Sequence, residues 1–180
     1  MAAAKASKIA FSGVCAALSL VIMLLAGIVP TMSLAMPALA GCVLIAVTVE
    51  TSEKYGFAVY AVVSVLSFFI TAEKEAMLIF VLFFGYYPVL YSILLKIKNK
   101  FLSYLIKLSI FNVMAIVYFI IVTFVFMVPI GAIEQLGAWA LPVLLILANL
   151  VFVLYDKGLL SVIDLYYTRL HPNVKKMMKK

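Results

Sequence analysis

Long apolar runs separated by short polar segments dominate the chain. Six of these runs approach the roughly 20 residues that a helix needs to cross the hydrocarbon of a bilayer. They lie at about residues 9–29, 33–49, 55–72, 76–95, 108–130 and 136–155. A backbone in hydrocarbon must satisfy its own hydrogen bonds, and these runs lack the polar–apolar alternation of barrel strands. The sequence therefore predicts an all-α integral membrane protein, a six-transmembrane-helix bundle.

Composition supports a membrane protein, and the charges indicate its orientation. Hydrophobic residues make up 68% of the 180 residues, and the mean hydropathy is +1.26, whereas a soluble domain is about half apolar. Of the 14 basic residues, all except Lys74 fall on one side of such a bundle. Since short loops rich in lysine stay inside, both termini are predicted to be cytoplasmic in a bacterial plasma membrane. We attribute the net charge of +7 to this signal and to contact with membrane lipids, not to nucleic acid.

Three places depart from a series of straight spans. The second run is short and begins in the segment 30–37, which contains two prolines; it is either a ligand-lining element or a kinked helical hairpin. Gly85 and Pro88 predict a bend in the fourth run. Beyond the sixth run, an amphipathic helix is predicted at about 157–171, either on the inner membrane surface or as an extension of the last span. Residues 1–180 are predicted to form a single membrane domain.

Amides and phenols occur inside the apolar runs, where polar groups need partners. Asn112 and Asn149 fall at comparable depth in the fifth and sixth runs, which would be antiparallel. We therefore expect these two side chains to hydrogen-bond to each other across the helices. Tyr86, Tyr87 and Tyr118 fall near the midplane, although tyrosine normally lies at the interface. They are interpreted either as paired hydroxyls in a packed core or, by preference, as the floor of a cavity.

Few charged residues fall on the predicted outer side, and these are Glu73, Lys74, Glu75 and Glu134. Trp139 follows about one turn inside the last run. One interpretation is a polar mouth that captures a small-molecule ligand from outside. The other is neutralisation of the lysine by its two neighbours, with the tryptophan as part of the interfacial aromatic belt.

No catalytic residue, metal site or cofactor is predicted, and the chain is not expected to be an enzyme. No acidic pair and no histidine falls inside an apolar run, and the single histidine, His171, is in the tail. Glu50 and Glu53 stand one turn apart beside Lys54 and are interpreted as a solvated, partly paired helix end. The sequence also lacks a glycine-rich phosphate-binding loop, so energy from ATP would have to come from another subunit.

Small residues recur on the first run. Ser12 with Ala16, and Gly13 with Ala17, form two overlapping pairs of residues four apart, which gives one side of a helix small side chains. Small residues permit close approach of a second helix in lipid. The patch is interpreted either as a docking surface for a partner membrane protein or as ordinary packing within the bundle.

Six spans in 180 residues, cytoplasmic termini, short outer loops and the small-residue pairs together resemble the substrate-binding S components of energy-coupling factor (ECF) transporters. In that family an alanine-rich first helix docks on a transmembrane coupling subunit, and ATPases drive the uptake of a vitamin-like molecule bound in the outer half. The resemblance implies that the coupling subunit would be docked by Ser12, Gly13, Ala16 and Ala17. It also implies that the ligand would be contacted by Lys74, Tyr118, Glu134 and Trp139.

Two other classes of function fit the same features of the sequence. A structural membrane subunit of a cell-envelope complex, similar to the cell-shape protein MreD, would share the small size and the six spans but bind partner proteins instead of nutrients. A self-contained lipid-handling enzyme or flippase is the third class. A small molecule retained on purification favours uptake, whereas co-purifying envelope proteins favour the structural class.

Overall fold

The computed structural model describes residues 2–28, 32–126 and 139–178, and every regular element in these ranges is helical. The α-helices of these ranges are α1 (Ala2–Ala26), α2 (Ala35–Glu50), α3 (Glu53–Ile70), α4 (Lys74–Ile79), α5 (Tyr87–Leu94), α6 (Lys100–Ile120), α7 (Ala140–Leu165) and α8 (His171–Met178). π-Helical turns follow α4, α6 and α7, at Phe80–Phe84, Ile121–Val125 and Tyr166–Leu170. The predicted all-α class is confirmed.

Several of these helices are long and apolar enough to cross a membrane. The stretches that qualify by length and composition are Lys5–Ala26, Glu53–Ile70, Lys74–Leu94, Lys100–Val125 and Pro142–Leu170. They overlap the first predicted run and the third to sixth. The second run corresponds to α2, which is shorter at 16 residues. The chain therefore has the helices of a membrane protein.

The chain divides into two compact units. The first consists of Met1–Lys96 and Leu159–Lys180, and the second of Ile97–Gly158. Helix α7 begins in the second unit and ends in the first without interruption. It therefore takes up the first part of the predicted amphipathic segment 157–171 as a continuation of the last apolar run. That the two units form one membrane domain stays a prediction.

The fourth span is the core of the first unit. In the stretch Lys74–Leu94, 72% of the apolar segment is buried, compared with 22% for Glu53–Ile70. The consecutive residues 76–80 are all buried, so every side of this helix is covered. Helices α1, α2 and α3 pack around it. A helix that is apolar all round suits this central position.

Hydrogen bonds bring several segments of the first unit to one end. The Nζ of Lys8 on α1 donates to the carbonyl of Thr51 after α2 (3.4 Å), and Lys96 after α5 pairs with Glu53 on α3 (2.6 Å). At the other end, Gly27 lies against the segment between α3 and α4. The successive helices are therefore antiparallel, and the chain returns after every second one to the same end. We name this the lysine-rich end.

A π-helical turn interrupts the fourth span where Gly85 and Pro88 predict a bend. The N–H of Gly85 donates to the carbonyl of Phe80, five residues back (2.7 Å). In an α-helix this N–H would instead reach the carbonyl of Val81. The hydroxyl of Tyr60 on α3 donates to that carbonyl (2.8 Å). A side chain of the neighbouring helix therefore stabilises the interruption.

Candidate functional site

Lys74, one of the predicted ligand contacts, caps the end of α3. Its Nζ donates to the carbonyls of Phe68 (2.6 Å) and Thr71 (3.1 Å) and lies 5.4 Å from the ring centroid of Phe68. The last carbonyls of a helix lack partners within the helix and form the negative end of its dipole. The lysine therefore stabilises the C-terminus of α3.

The other predicted ligand contacts belong to other parts of the chain. Tyr118 is half-buried on α6, and Trp139, just before α7, is 74% exposed; both are in the second unit, whereas Lys74 is in the first. Glu134 lies outside the described residues. A ligand pocket made of these four side chains stays a prediction.

The four residues of the predicted docking patch lie on two different faces of α1. Ser12 and Ala16 are buried, at 6% and 9% exposure, on the face that packs against α2 and α3. Gly13 and Ala17 are exposed, and a Cβ added at Gly13 would have no neighbour within 4 Å. Ser12 and Ala16 thus pack within the unit, and Gly13 and Ala17 form an open small-residue face.

A polar cluster that the sequence did not predict lies at the lysine-rich end. Glu50, the last residue of α2, has a side chain only 4% exposed. Its Oε1 accepts a hydrogen bond from the hydroxyl of Tyr166 (2.9 Å) and lies 2.7 Å from Nδ1 of His171. We name these three residues the Glu50 cluster. The carboxylate connects α2 to residues 116 and 121 positions further along the chain.

The π-helical turn between α7 and α8 explains why this cluster was missed. The N–H of His171 donates to the carbonyl of Tyr166, five residues earlier. In a regular α-helix, residues five apart point about 140° away from each other, whereas both side chains here contact one carboxylate. The interpretation of Glu50 as a solvated helix end is wrong for that reason. Its neighbour Glu53 is paired, with Lys96.

The contacts of the Glu50 cluster attach the C-terminal segment to the end of α2. A carboxylate on Nδ1 fixes the orientation of an imidazole and leaves Nε2 to other partners. Within the described ranges, no group of three or more His, Cys, Asp or Glu residues could hold a metal ion. The visible effect of the cluster is to hold the C-terminal segment against α2, and α8 also contacts α1.

The second unit carries a buried ion pair between its two helices. Nζ of Lys107 on α6 lies 2.9 Å from Oδ1 of Asp156 on α7, and the two side chains are 9% and 13% exposed. One turn further, the rings of Phe111 and Phe152 stack with centroids 4.4 Å apart. From the sequence, Lys107 was interpreted only as one of the basic residues that indicate orientation, and no role was predicted for Asp156. An isolated charge in an apolar helix is costly, so each of these residues stabilises the other.

The predicted amide pair of the second unit is confirmed. Nδ2 of Asn112 donates to Oδ1 of Asn149 (3.0 Å), and Nδ2 of Asn149 donates to Oδ1 of Asn112 (2.9 Å). Each Nδ2 also donates to a carbonyl four residues back in its own helix, at 2.8 Å. Both N–H bonds of each amide are therefore used, and the pair holds α6 and α7 in register.

Comparison with models of protein families, with curated proteins and with solved structures finds no match to this chain. Among the described residues, the open face of α1 is the feature that bears most directly on function.

Proposed function

We propose that this chain is the substrate-binding membrane subunit of an uptake transporter, which captures a small vitamin-like molecule outside the cell and couples to an ATP-driven partner. The open face of α1 is the observation that carries the proposal. Gly13 and Ala17 are exposed there, and a Cβ added at Gly13 would have no neighbour within 4 Å. The bulkier exposed residues Val14 (69%) and Leu18 (51%) lie along one edge of this small-residue face. A helix of a partner subunit can approach most closely where the side chains are small.

The distribution of lysine supports the orientation that this function needs. Lys8, Lys54 and Lys96 belong to the lysine-rich end of the first unit, and Lys74 belongs to the opposite end. Under the positive-inside rule the lysine-rich end faces the cytoplasm. In our proposal the chain crosses the membrane six times, with α2 as the shortest span, and both termini are cytoplasmic.

In this proposal the ligand binds near the outer ends of the helices, close to the cap formed by Lys74. Tyr118, Glu134 and Trp139 remain the proposed further contacts. Coupling would be transmitted through α1, whose buried face packs on α2 and α3. Movement of a docked partner would therefore displace α1 and, through it, the helices packed around the central span.

The test uses a bulky side chain on the open face of α1. Ala17→Leu places a bulky side chain on the small-residue face beside Gly13, so we expect loss of co-purifying coupling subunit and ATPases with an unchanged melting temperature. Ala17 is preferable to Ala16, because Ala16 is buried and its substitution would disturb packing within the unit. The measurement is native mass spectrometry of the tagged protein extracted gently from its host membrane.

Ala61→Leu is the matched control, since Ala61 is an exposed alanine on α3. We expect this variant to keep the partner subunits. Retention of the complete complex by Ala17→Leu, or equal loss in both variants, would contradict docking through the α1 face.

A structural subunit, similar to MreD, is the second candidate. The hydrogen bonds of Lys74 to carbonyls at the end of α3 favour it. A lysine that caps a helix has a structural role that needs no ligand. Thermal stabilisation by a vitamin, nucleobase or amino acid separates the two, because only a captured ligand raises the melting temperature. No stabilisation together with co-purifying envelope proteins would favour the structural role.

A further inference from the structure

Exposed cations gather at the lysine-rich end of the first unit. Lys8 donates a hydrogen bond to the carbonyl of Thr51, and Lys96 forms an ion pair with Glu53. Among the described residues, those that are exposed and have no acidic partner at this end are Lys5, Lys54, Arg169, Lys175 and Lys176. We name these five residues the basic patch.

The Glu50 cluster fixes the position of the C-terminal part of this patch. Tyr166 and His171, which contact Glu50, bracket Arg169 in the chain, and His171 is the first residue of α8. Helix α8 contacts both α1 and α2. The cluster therefore holds the segment that carries these cations against α2, and Lys5 lies on α1, which α8 also contacts.

The last apolar stretch is long enough for this segment to reach the membrane surface. The apolar stretch Pro142–Leu170 has 29 residues, which corresponds to about 44 Å of helix, whereas the hydrocarbon is about 30 Å thick. Part of it must extend into the headgroup region or tilt strongly. The carboxyl-terminal end carries the cations of the patch, which suits the headgroup region.

Apolar side chains beside the cations favour a lipid surface over an acidic protein in water. Leu165, Tyr167 and Leu170 are 53%, 50% and 52% exposed, on the segment that also carries Arg169. Exposed leucines and a tyrosine next to cations are typical of helices at the boundary between headgroups and acyl chains. Phosphate groups of lipids would complement the charge, and acyl chains would cover the apolar side chains.

We propose that the basic patch is a docking surface for anionic phospholipid headgroups and that the Glu50 cluster holds its C-terminal part in position. Five cations without acidic partners attract negative headgroups at short range. The buried carboxylate contributes indirectly, by fastening the segment that carries three of the five. This surface is independent of the uptake proposal and would serve a structural subunit equally well.

The first experiment measures lipid selectivity on the full chain. The protein is reconstituted with equal amounts of phosphatidylglycerol and phosphatidylcholine of the same acyl chains, and native mass spectrometry counts the retained lipids. We expect enrichment of phosphatidylglycerol by the wild type. In Lys175→Gln/Lys176→Gln the enrichment should fall about fivefold for each charge removed.

The control removes two exposed lysines elsewhere, in Lys98→Gln/Lys100→Gln. This variant has the same net charge as the first, so general attraction predicts the same loss, whereas the proposal predicts nearly unchanged enrichment. Equal losses in both variants, or equal retention of the two lipids by the wild type, would overturn the proposal.

Glu50→Ala tests whether the cluster holds the C-terminal segment in place, because general charge attraction and the proposal predict opposite changes in lipid enrichment. The substitution makes the chain more positive, so general attraction predicts stronger enrichment of phosphatidylglycerol. The proposal predicts weaker enrichment, because the C-terminal segment is released. Tyr166→Phe provides the same test with the net charge and the fold-stabilising ring preserved. Unchanged or stronger enrichment in Tyr166→Phe would rule out the fastening role.

Discussion

Asn112 and Asn149 show how two amides on apolar helices satisfy each other's hydrogen bonds. Each amide uses one N–H on its own helix and the other on its partner. Removing one member leaves the other with an unpaired donor and acceptor in an apolar setting, whereas removing both leaves nothing unpaired. The pair therefore contributes through mutual satisfaction more than through the strength of either bond.

The mutual hydrogen bonds of the two amides predict non-additive costs in a double-mutant cycle. Asn112→Leu and Asn149→Leu should each lower the free energy of unfolding by about 1–2 kcal/mol, and the double variant should cost less than the sum. Unfolding in detergent, followed by circular dichroism, measures all three. Ser109→Leu, at an exposed position of α6, serves as control and should have little effect. Strictly additive costs would contradict the mutual hydrogen bonds.

Residue-level contacts were predictable where a side chain had few possible partners. The two asparagines could be paired from sequence because an amide needs several partners and the antiparallel runs put them at one depth. Glu50 could not be paired, because its donors depend on a π-helical turn that no apolar pattern reveals. Lys107 and Asp156 were not paired because each lies near the end of a run, where a charge is ordinarily solvated.

The interrupted fourth span determines how closely helix α2 can approach it. Pro88 has no N–H, so it cannot donate to the carbonyl of Phe84 as this position of a regular α-helix would. Gly41 of α2 packs against this carbonyl, and a Cβ at Gly41 would come within 2.3 Å of its oxygen. Glycine is required there by the approach of another backbone.

A pair of glycine substitutions tests this packing. Gly41→Ala should destabilise the protein by about 1–3 kcal/mol, because neither backbone can move freely. Gly158→Ala, on α7 with no atom within 4 Å of an added Cβ, should be neutral or stabilise by about 0.5–1 kcal/mol. Thermal unfolding in one detergent compares them. Wild-type stability in Gly41→Ala would show that the α2 contact is looser than described.

The elements themselves were largely predictable, since runs of apolar residues report helices directly. The first run illustrates the limit: small residues at spacings of four were visible, but the sequence could not show that Ser12 and Ala16 face inward and Gly13 and Ala17 outward. A bend was predicted at Gly85 and Pro88, and the structure has a π-helical turn there. The sequence could not show this turn, because the hydroxyl that bonds to it belongs to Tyr60 on a neighbouring helix.

The asymmetric distribution of charge and the order of the helices determine the proposed orientation of the protein. The hydropathy pattern reports which segments enter the membrane, and it does not report which segments contact one another. The division into two units was therefore not visible in the sequence. The common end shared by Lys8, Lys96 and the Glu50 cluster agrees with the grouping of lysines along the chain.

Labelling of single cysteines in intact cells tests the proposed orientation most directly. In a variant lacking Cys15 and Cys42, cysteine is introduced at the exposed positions Ala72 or Lys176, and a membrane-impermeant maleimide is added. We expect Ala72→Cys to be labelled in intact cells and Lys176→Cys only after the membrane is permeabilised. Labelling of Lys176→Cys in intact cells, with Ala72→Cys protected, would contradict a cytoplasmic lysine-rich end and the uptake function built on it.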